Sequence, residues 1–146
     1  MKIYLDCCCL QRPFDDKSQP RVSVEAEAIL VVLALCESDY LKLISSDALL
    51  LEINQIPDQV RKEDALKILN LAKKTVELTS EIETLARGFG DYGIKALDAL
   101  HLAFASFSKV DYFCTCDDKF LRKAKRVSKL NTKVASPTEL VMELYI

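Results

Sequence analysis

The sequence predicts an α/β fold of three layers, with a mainly parallel central sheet covered by helices on both faces. Short apolar runs rich in β-favouring residues alternate with longer segments whose apolar residues recur at helical spacing. Strands that alternate with helices favour parallel pairing through helical crossovers. Hydrophobic residues make up 50% of the 146-residue chain, and its mean hydropathy is slightly positive. This is enough apolar material for one buried core, so we expect residues 1–146 to form a single domain.

The first part of the chain is predicted to form two strands and three helices. The first strand contains the β-favouring residues Ile and Tyr, and prolines punctuate the polar segment that follows it. In order, the expected elements are a strand at Lys2–Leu5, a polar loop at Gln11–Pro20, a helix at Val22–Tyr40, a strand at Leu41–Ser45, a helix capped by Ser46 and Asp47 that continues to about Gln55, and a helix from Pro57 to about Lys73.

The second part of the chain continues the alternation of strands and helices. All three glycines of the protein fall within one short segment, where they are expected to end a helix. The expected elements are a strand at Val76–Thr79, a helix that begins at a capping box of Ser80 with Glu83 and ends at Gly88, Gly90 and Gly93, an apolar helix at Lys95–Phe107, a strand at Tyr112–Cys114, a basic helix from Asp117, a strand at Thr132–Ala135, and a final helix that Ser136 opens.

Composition argues against several classes of protein. The net charge is −2, so the molecule as a whole does not attract nucleic acid electrostatically. No apolar run reaches the roughly 18 residues of a membrane-spanning helix, and the N-terminus lacks the pattern of a signal peptide. The six cysteines include the consecutive Cys7–Cys9, which is not the spacing of a secreted disulfide scaffold. We therefore expect a cytoplasmic protein with reduced thiols and no membrane association.

Four acidic residues adjoin separate apolar runs. Asp6 and Asp117 directly follow predicted strands, whereas Glu52 and Asp98 lie on predicted helices. In parallel sheets, binding sites form beyond the carboxyl ends of the strands. Carboxylates that are brought together repel one another unless a cation lies between them, and a carboxylate in an apolar helix is costly unless it is paired. The pattern predicts that these four residues hold Mg²⁺ or Mn²⁺ and support metal-assisted chemistry on phosphate esters.

Simpler roles are open for several polar residues around this predicted site. Asp6 is also a candidate turn or cap residue, and Asp117 is a candidate cap for the helix that it precedes. Asp118 is either the better cap or a residue that supports the metal ligands. His101 is the only histidine and lies three residues after Asp98, on the same helical face. It is either a packed, hydrogen-bonded side chain or a ligand or acid–base group.

Cations concentrate after the last of these acids. The segment 119–133 contains no acid and seven cations, which are Lys119, Arg122, Lys123, Lys125, Arg126, Lys129 and Lys133. Such a segment forms either a solvated helix face or a contact for a phosphate backbone. In the second interpretation, Lys119, Arg122 and Lys123 bind the substrate.

Arg12 is a further candidate for substrate binding. It lies near Asp6 in the sequence, within a polar loop that also contains Asp15 and Asp16. A guanidinium in this position either binds a substrate phosphate or pairs with one of the two loop carboxylates.

The cysteines suggest a separate hypothesis. If the first and fourth strands are neighbours in the sheet, Cys7–Cys9 come close to Cys114 and Cys116. The thiols would then form a soft-metal or redox-sensitive site beside the acidic one. The alternative is that they are small apolar residues that fill the core.

The acidic motifs resemble those of the PIN-domain family, especially its small bacterial ribonuclease-toxin branch of VapC-like proteins. The resemblance covers nearly the whole chain. The four motifs lie in Lys2–Asp6, Ser45–Ile53, Leu97–Ala103 and Thr115–Phe120, and the segment Leu97–Ala103 is the most diagnostic.

The resemblance implies a function as well as a fold. It implies a three-layer α/β/α architecture, a catalytic Mg²⁺ or Mn²⁺ held by the four acids, and cleavage of single-stranded RNA. Thr115 would help to position Asp117 and the metal. The resemblance also implies homodimers and, for toxin members, a small antitoxin protein as partner.

Two departures from the family pattern keep an alternative open. Cys7–Cys9 follow the first acid, where the family usually has a hydroxyl or amide residue, and Cys116 stands where a polar residue often precedes the fourth acid. Both changes affect the hydrogen bonds around a metal. The alternative is a catalytically silent PIN-like module that binds nucleic acid or protein. A receiver-like signalling domain also clusters acids, but Asp98 is on a predicted helix and no suitable Lys ends the last strand.

Overall fold

A computed structural model describes residues 1–145, which form an all-parallel five-stranded sheet with helices on both faces. The strands are β1 (Lys2–Leu5), β2 (Lys42–Ser46), β3 (Lys74–Val76), β4 (Tyr112–Cys114) and β5 (Lys133–Ala135). The helices are α1 (Cys7–Gln11), α2 (Pro20–Glu37), α3 (Asp47–Asn54), α4 (Gln59–Leu69), α5 (Ser80–Gly90), α6 (Ala96–Phe107), α7 (Asp118–Ala124) and α8 (Pro137–Leu144), with a 3₁₀ turn at Arg12–Phe14. The predicted three-layer α/β/α architecture is confirmed.

The strand order is β3-β2-β1-β4-β5, so β1 lies at the centre of the sheet. Ile3 is in register with Leu43 of β2 on one side and with Tyr112 of β4 on the other. Ile3, Tyr4 and Leu5 are all fully buried, because helices cover both faces of a parallel sheet. This explains why β1 appears in the sequence as a continuous apolar run.

The helices pack in pairs as well as against the sheet. The most extensive contacts between helices join α5 to α6, and α2 also packs on α8. Ile29, Val32 and Leu33 of α2 are buried, whereas Val24 and Leu30 are about half exposed. Helix α2 therefore contributes to the core.

Two differences from the predicted elements occur before β2. The residues after Asp6 form the short helix α1, although no helix was predicted for Cys7–Cys9. The next helix begins earlier than expected, because Pro20 occupies its first turn, and it ends at Glu37. Asp39 then adopts a left-handed conformation, with φ 62°, and turns the chain towards β2.

The start of α5 is displaced by one residue from the prediction. The Thr79 hydroxyl accepts a hydrogen bond from the backbone N–H of Ile82 at 3.2 Å, so Thr79 is the N-cap. Ser80 is already helical, and the predicted capping box of Ser80 with Glu83 is wrong. The strand that was expected to reach Thr79 ends at Val76.

Glycines and caps define the remaining boundaries. Gly88 and Gly90 lie inside α5 rather than after it, and Gly93, with φ 78°, makes the turn towards α6. The helix expected from Pro57 is shorter than predicted, since Asp58 caps α4. The predicted cap of α8 at Ser136 is confirmed. Within residues 1–145, no helix combines the length and apolarity that crossing a membrane requires.

Candidate metal centre

The acidic residues meet where the connections from two adjacent strands diverge. The chain leaves β1 towards β2 on one side, while β4 pairs with β1 on the other side. Such a switch in strand order opens a crevice beyond the carboxyl ends of the strands. Asp6 directly follows β1, and Asp117 lies three residues after the end of β4. The strand order therefore brings the two strand-end acids to the same crevice.

Asp6 is held rigidly at the base of this crevice. Its side chain is nearly buried, with 5% of the residue exposed. One carboxylate oxygen accepts a hydrogen bond from the Cys7 backbone N–H at 2.8 Å and caps α1. The other accepts a hydrogen bond from the Thr115 hydroxyl at 2.9 Å. Asp6 is thus both a helix cap and a member of the acidic site.

Thr115 links the two strand-end acids. While its hydroxyl donates to Asp6, the same oxygen accepts a hydrogen bond from the Asp117 backbone N–H at 3.2 Å. Asp117 in turn caps α7 through a hydrogen bond from the Phe120 N–H at 3.1 Å. These contacts fix the backbone of Asp117 relative to the Asp6 carboxylate. The predicted positioning role of Thr115 requires such contacts.

Glu52 is held in the site by a contact with a buried histidine. The Nε2 atom of His101, on α6, lies 2.7 Å from a Glu52 carboxylate oxygen, on α3. The other ring nitrogen lies 2.7 Å from the hydroxyl of Tyr4, which contacts the hydroxyl of Ser46 at 2.6 Å. This chain of four side chains connects the two helices through the central strands and holds the Glu52 carboxylate in place.

The electrostatics of this chain fix the charge on its members. The hydrogen bond from His101 lowers the pKa of Glu52. Burial lowers the pKa of His101, but its bond to Glu52 and the nearby charges of Asp6 and Asp98 raise it above its usual value overall. Each partner therefore favours the charged form of the other. With both ring nitrogens engaged, His101 acts on Glu52 rather than as a metal ligand.

Asp98 and Asp117 belong to one small cleft. Both line this cleft, whose other walls include Ile94 and Phe120. Burial raises the pKa of Asp98 to about 6, and the neighbouring charges of Asp6, Asp117 and Glu52 contribute to the shift. The charges of the other three acids thus act on Asp98, and a single site formed by all four residues stays a prediction.

The buried carboxylates have properties that suit a cation site. Burial, together with neighbouring Cys8, raises the pKa of Asp6 to about 7. Carboxylate oxygens of Asp6 and Glu52 lie within 4.8 Å of each other, beside the buried His101. Oxygen donors in this arrangement suit a hard divalent cation such as Mg²⁺ or Mn²⁺ better than Zn²⁺. The residues therefore fit the metal that the sequence predicts.

Asp118 and Arg12 are engaged in ion pairs. The Asp118 carboxylate forms a bidentate pair with Arg21 of α2, at 2.5 and 2.7 Å. The Arg12 guanidinium pairs with Asp15 at 3.0 Å, one of the two alternatives raised by the sequence, and also with Glu25 at 3.1 Å. A supporting role for Asp118 and substrate binding by Arg12 stay predictions.

Part of the basic segment borders the acidic cleft. Lys119 and Lys123 of α7 line it together with Lys95, which precedes α6. The Lys123 ammonium donates a hydrogen bond to the Gly93 carbonyl oxygen at 2.9 Å. Arg122 is exposed on the same short helix. These cations are arranged beside the acids, and their binding to substrate remains a prediction.

The cysteines come together as the sequence hypothesis expected. Because β1 and β4 are neighbours, the Cys9 sulfur lies 3.8 Å from that of Cys114 and 3.6 Å from that of Cys116. Cys8, which is half-buried, lies 3.5 Å from a carboxylate oxygen of Asp6. The thiol cluster therefore adjoins the acidic site.

Three residues at the site went unrecognised in the sequence. Tyr4 contacts His101, Ser46 contacts the Tyr4 hydroxyl, and Lys95 lines the acidic cleft. A signal existed for Tyr4, since residues two apart on a strand share a face and Tyr4 precedes Asp6 by two. Lys95 stands directly before the apolar helix of Asp98. Ser46 was recognised only as a helix cap.

Comparison with known proteins identifies the family of the chain. The family model described as PIN domain matches residues 3–126. A VapC-type PIN domain from VapBC2 of Rickettsia felis, solved bound to a DNA fragment from their promoter, is 16% identical with a TM-score of 0.57, covering 93% of this chain and 98% of that chain. PAE2754 from Pyrobaculum aerophilum is 15% identical with a TM-score of 0.60, covering 99% and 90%. No curated protein matches. These two structural similarities establish the fold.

Proposed function

Because the chain belongs to the PIN-domain family, whose members are generally metal-dependent nucleases, we propose that it is an endoribonuclease. It uses Mg²⁺ or Mn²⁺ to hydrolyse phosphodiester bonds in single-stranded RNA, as one domain spanning residues 1–146 in the cytoplasm. The observations that support the proposal are the grouping of Asp6 and Glu52 around the buried His101 and the cleft that Asp98 and Asp117 line together.

Asp6, Glu52, Asp98 and Asp117 hold the cation in this proposal. When bound, Mg²⁺ or Mn²⁺ would supply positive charge to the phosphate and would acidify an attacking water. The four carboxylates contribute the negative charge that selects a divalent ion. Burial raises the pKa of Asp98 and repulsion from the neighbouring acids adds to the shift, so a bound cation would compensate these charges.

The residues around the carboxylates keep them in place for the reaction. Thr115 and the Cys7 N–H orient the two oxygens of Asp6. His101 orients Glu52 and keeps it ionised. These contacts fix the two carboxylates in the positions that the proposed reaction requires.

Lysines beside the cleft bind the RNA backbone. Lys95, Lys119 and Lys123 line the cleft that contains Asp98 and Asp117. Cations in this position attract phosphates and counter the repulsion between the acidic site and a polyanion. Arg122 and Arg12 extend this surface in the proposal.

The toxin role and the partners form the finer part of the proposal. The structural similarity to a VapC-type domain from a VapBC pair supports a small antitoxin protein as partner. A homodimer is the proposed assembly, as the family resemblance implies. Size-exclusion chromatography with light scattering measures that assembly directly.

The test is cleavage of end-labelled RNA by the purified chain. We expect cleavage with Mn²⁺ or Mg²⁺, none with EDTA, and a preference for single-stranded RNA over duplex RNA and single-stranded DNA. Asp98→Asn removes the charge of one proposed metal ligand. Its activity should therefore fall by more than the roughly 10–100-fold that is typical when a residue that only hydrogen-bonds to a metal ligand is mutated. Asp16→Asn is the matched control, since Asp16 is exposed and contacts only the nearby Ser18 backbone.

The same assay separates the nuclease from its alternative. Equal cleavage by the wild type and Asp98→Asn would assign the activity to a contaminant. Retained RNA binding without metal-dependent cleavage would favour the catalytically silent binding module instead.

A further inference from the structure

A cluster of three thiols lies directly beside the acidic site and is used by no step of the proposed reaction. The sulfurs of Cys8, Cys9 and Cys116 lie within 4.8 Å of one another. Cys9 and Cys116 are buried, and Cys8 is half-buried. All six cysteines are free thiols in the structure. We propose that Cys8, Cys9 and Cys116 form a second metal site, which binds a thiophilic d¹⁰ cation, either Zn²⁺ or Cu(I).

The spacing of the sulfurs fits one shared cation. Two thiolates bound to one Zn²⁺ at about 2.3 Å in tetrahedral geometry lie roughly 3.8 Å apart. The Cys9 and Cys116 sulfurs are 3.6 Å apart, and the Cys8 sulfur lies within 4.8 Å of both. Only small side-chain movements are therefore needed to bring three sulfurs around one ion.

The backbone around the cluster also suits thiolate ligands. The Cys116 N–H donates a hydrogen bond to the Cys8 sulfur at 3.3 Å, and such bonds stabilise negative charge on a metal-bound sulfur.

Binding involves proton release and no electron transfer. Each of the three thiols gives its proton to solvent, and each sulfur donates an electron pair to the cation. The soft sulfurs discriminate this site from the oxygen-lined one nearby, because thiolates select Zn²⁺ and Cu(I) whereas carboxylates select Mg²⁺ and Mn²⁺.

The two sites share contacts, so occupancy of one affects the other; this step rests on the proposed function. The Cys8 sulfur lies 3.5 Å from both the Asp6 carboxylate and the Thr115 hydroxyl. A cation bound to Cys8 removes the Cys8–Asp6 hydrogen bond, which is one of the contacts that orient the Asp6 carboxylate. Loss of an orienting contact of this kind weakens Mg²⁺ or Mn²⁺ binding. The thiol site is therefore an inhibitory sensor of soft metal.

Cd²⁺ provides a direct probe of the thiol site. The reduced, metal-free chain is titrated with Cd²⁺ while the sulfur-to-cadmium charge-transfer absorbance is followed in the ultraviolet. We expect saturation at one Cd²⁺ per chain, and loss of the band in Cys8→Ala and in Cys116→Ala. Cys36→Ala, at a buried thiol on α2 outside the cluster, should keep it. Circular dichroism establishes that each variant is folded.

The outcomes decide between a site and scattered thiol reactivity. Displacement of the band by Zn²⁺ or by Cu(I) supports the site and identifies which cation binds better. A band that persists in folded Cys8→Ala and Cys116→Ala, or no saturable band in the wild type, overturns the proposal.

Mn²⁺ binding tests the coupling separately. The free Mn²⁺ signal in electron paramagnetic resonance reports occupancy of the acidic site. We expect saturating Cd²⁺ to weaken Mn²⁺ binding to the wild type and not to Cys116→Ala. Unchanged Mn²⁺ affinity in Cd²⁺-loaded protein would overturn the inhibition. Absence of Mn²⁺ binding to the Cd²⁺-free protein would instead contradict the proposed function.

Discussion

At the scale of single residues, His101 shows how a carboxylate is kept ready in a largely buried site. The sequence placed His101 on the face of Asp98 and left open whether it packs or reacts. Its actual partner is Glu52, which is 49 positions away, with Tyr4 on the other ring nitrogen. Three-residue spacing on a helix is visible in a sequence, but a contact between two helices depends on how they pack on the sheet.

This pairing predicts the titration of the only histidine in the chain. The bond to Glu52 raises the pKa of His101 against the opposing effect of burial. Glu52→Gln removes the negative partner, so the pKa of His101 should fall. Proton NMR of the imidazole measures this without assignment of other residues.

Glu27→Gln provides the control for the histidine titration. Glu27 is an exposed residue of α2, so its neutralisation should leave the His101 pKa unchanged. An equal shift in both variants, or no shift in Glu52→Gln, would show that Glu52 does not set the charge of the histidine.

At the scale of elements, the long periodic helices and the apolar strands β1 and β4 were predictable, whereas the short helix α1 was not. The helix containing Asp98 was expected at Lys95–Phe107 and is observed with a start one residue later. In contrast, α1 has only five residues, three of which are cysteines with weak helix propensity. It forms because Asp6 caps it and because Leu10 and two of the cysteines are buried. Those stabilising contacts come from the tertiary structure.

The start of α5 provides a quantitative test at this scale. Thr79 accepts the capping hydrogen bond, whereas Ser80 lies in the first helical turn. Thr79→Ala should therefore lower the free energy of unfolding by about 1 kcal/mol, and Ser80→Ala should change it by roughly half as much or less. Urea unfolding of both variants measures the difference. A larger destabilisation by Ser80→Ala than by Thr79→Ala would instead support the predicted capping box of Ser80 with Glu83.

At the scale of the whole molecule, strand order creates the site. The sequence predicted that Asp6 and Asp117 follow strands, and a parallel sheet brings strand ends to one edge. It did not contain the order β3-β2-β1-β4-β5, which makes β1 and β4 neighbours. Strand order depends on long-range packing, so the proximity of these acids, and of the cysteines beside them, became known only from the structure.

The acidic site predicts how the stability of the metal-free protein depends on pH. Burial raises the pKa of Asp6 from 3.8 to about 7 and that of Asp98 from 3.8 to about 6. At a pH between the ordinary pKa of 3.8 and these raised pKa values, the folded state binds more protons than the unfolded state. Their contribution to stability is therefore present at low pH and is lost as pH rises through this range.

Urea unfolding in EDTA tests this dependence. Asp6→Asn lacks the titrating group, so its stability relative to the wild type should increase as pH rises from about 4 to about 7. The increase should be at most about 1.4 kcal/mol for each unit by which folding raises the pKa of Asp6. Mn²⁺ should stabilise the wild type at the upper end of the range. A stability difference that does not vary with pH would mean that Asp6 is not held at a raised pKa.

The account depends most on the four carboxylates holding a hard divalent cation. The most direct measurement is a Mn²⁺ titration followed by electron paramagnetic resonance, with wild type, Asp98→Asn and Asp16→Asn compared in the same buffer. We predict saturable binding to the wild type and to Asp16→Asn, displacement of Mn²⁺ by Mg²⁺, and at least about tenfold weaker binding to Asp98→Asn. Equal Mn²⁺ affinity in all three proteins, or no saturable binding to any of them, would contradict the assignment of this crevice as a metal centre.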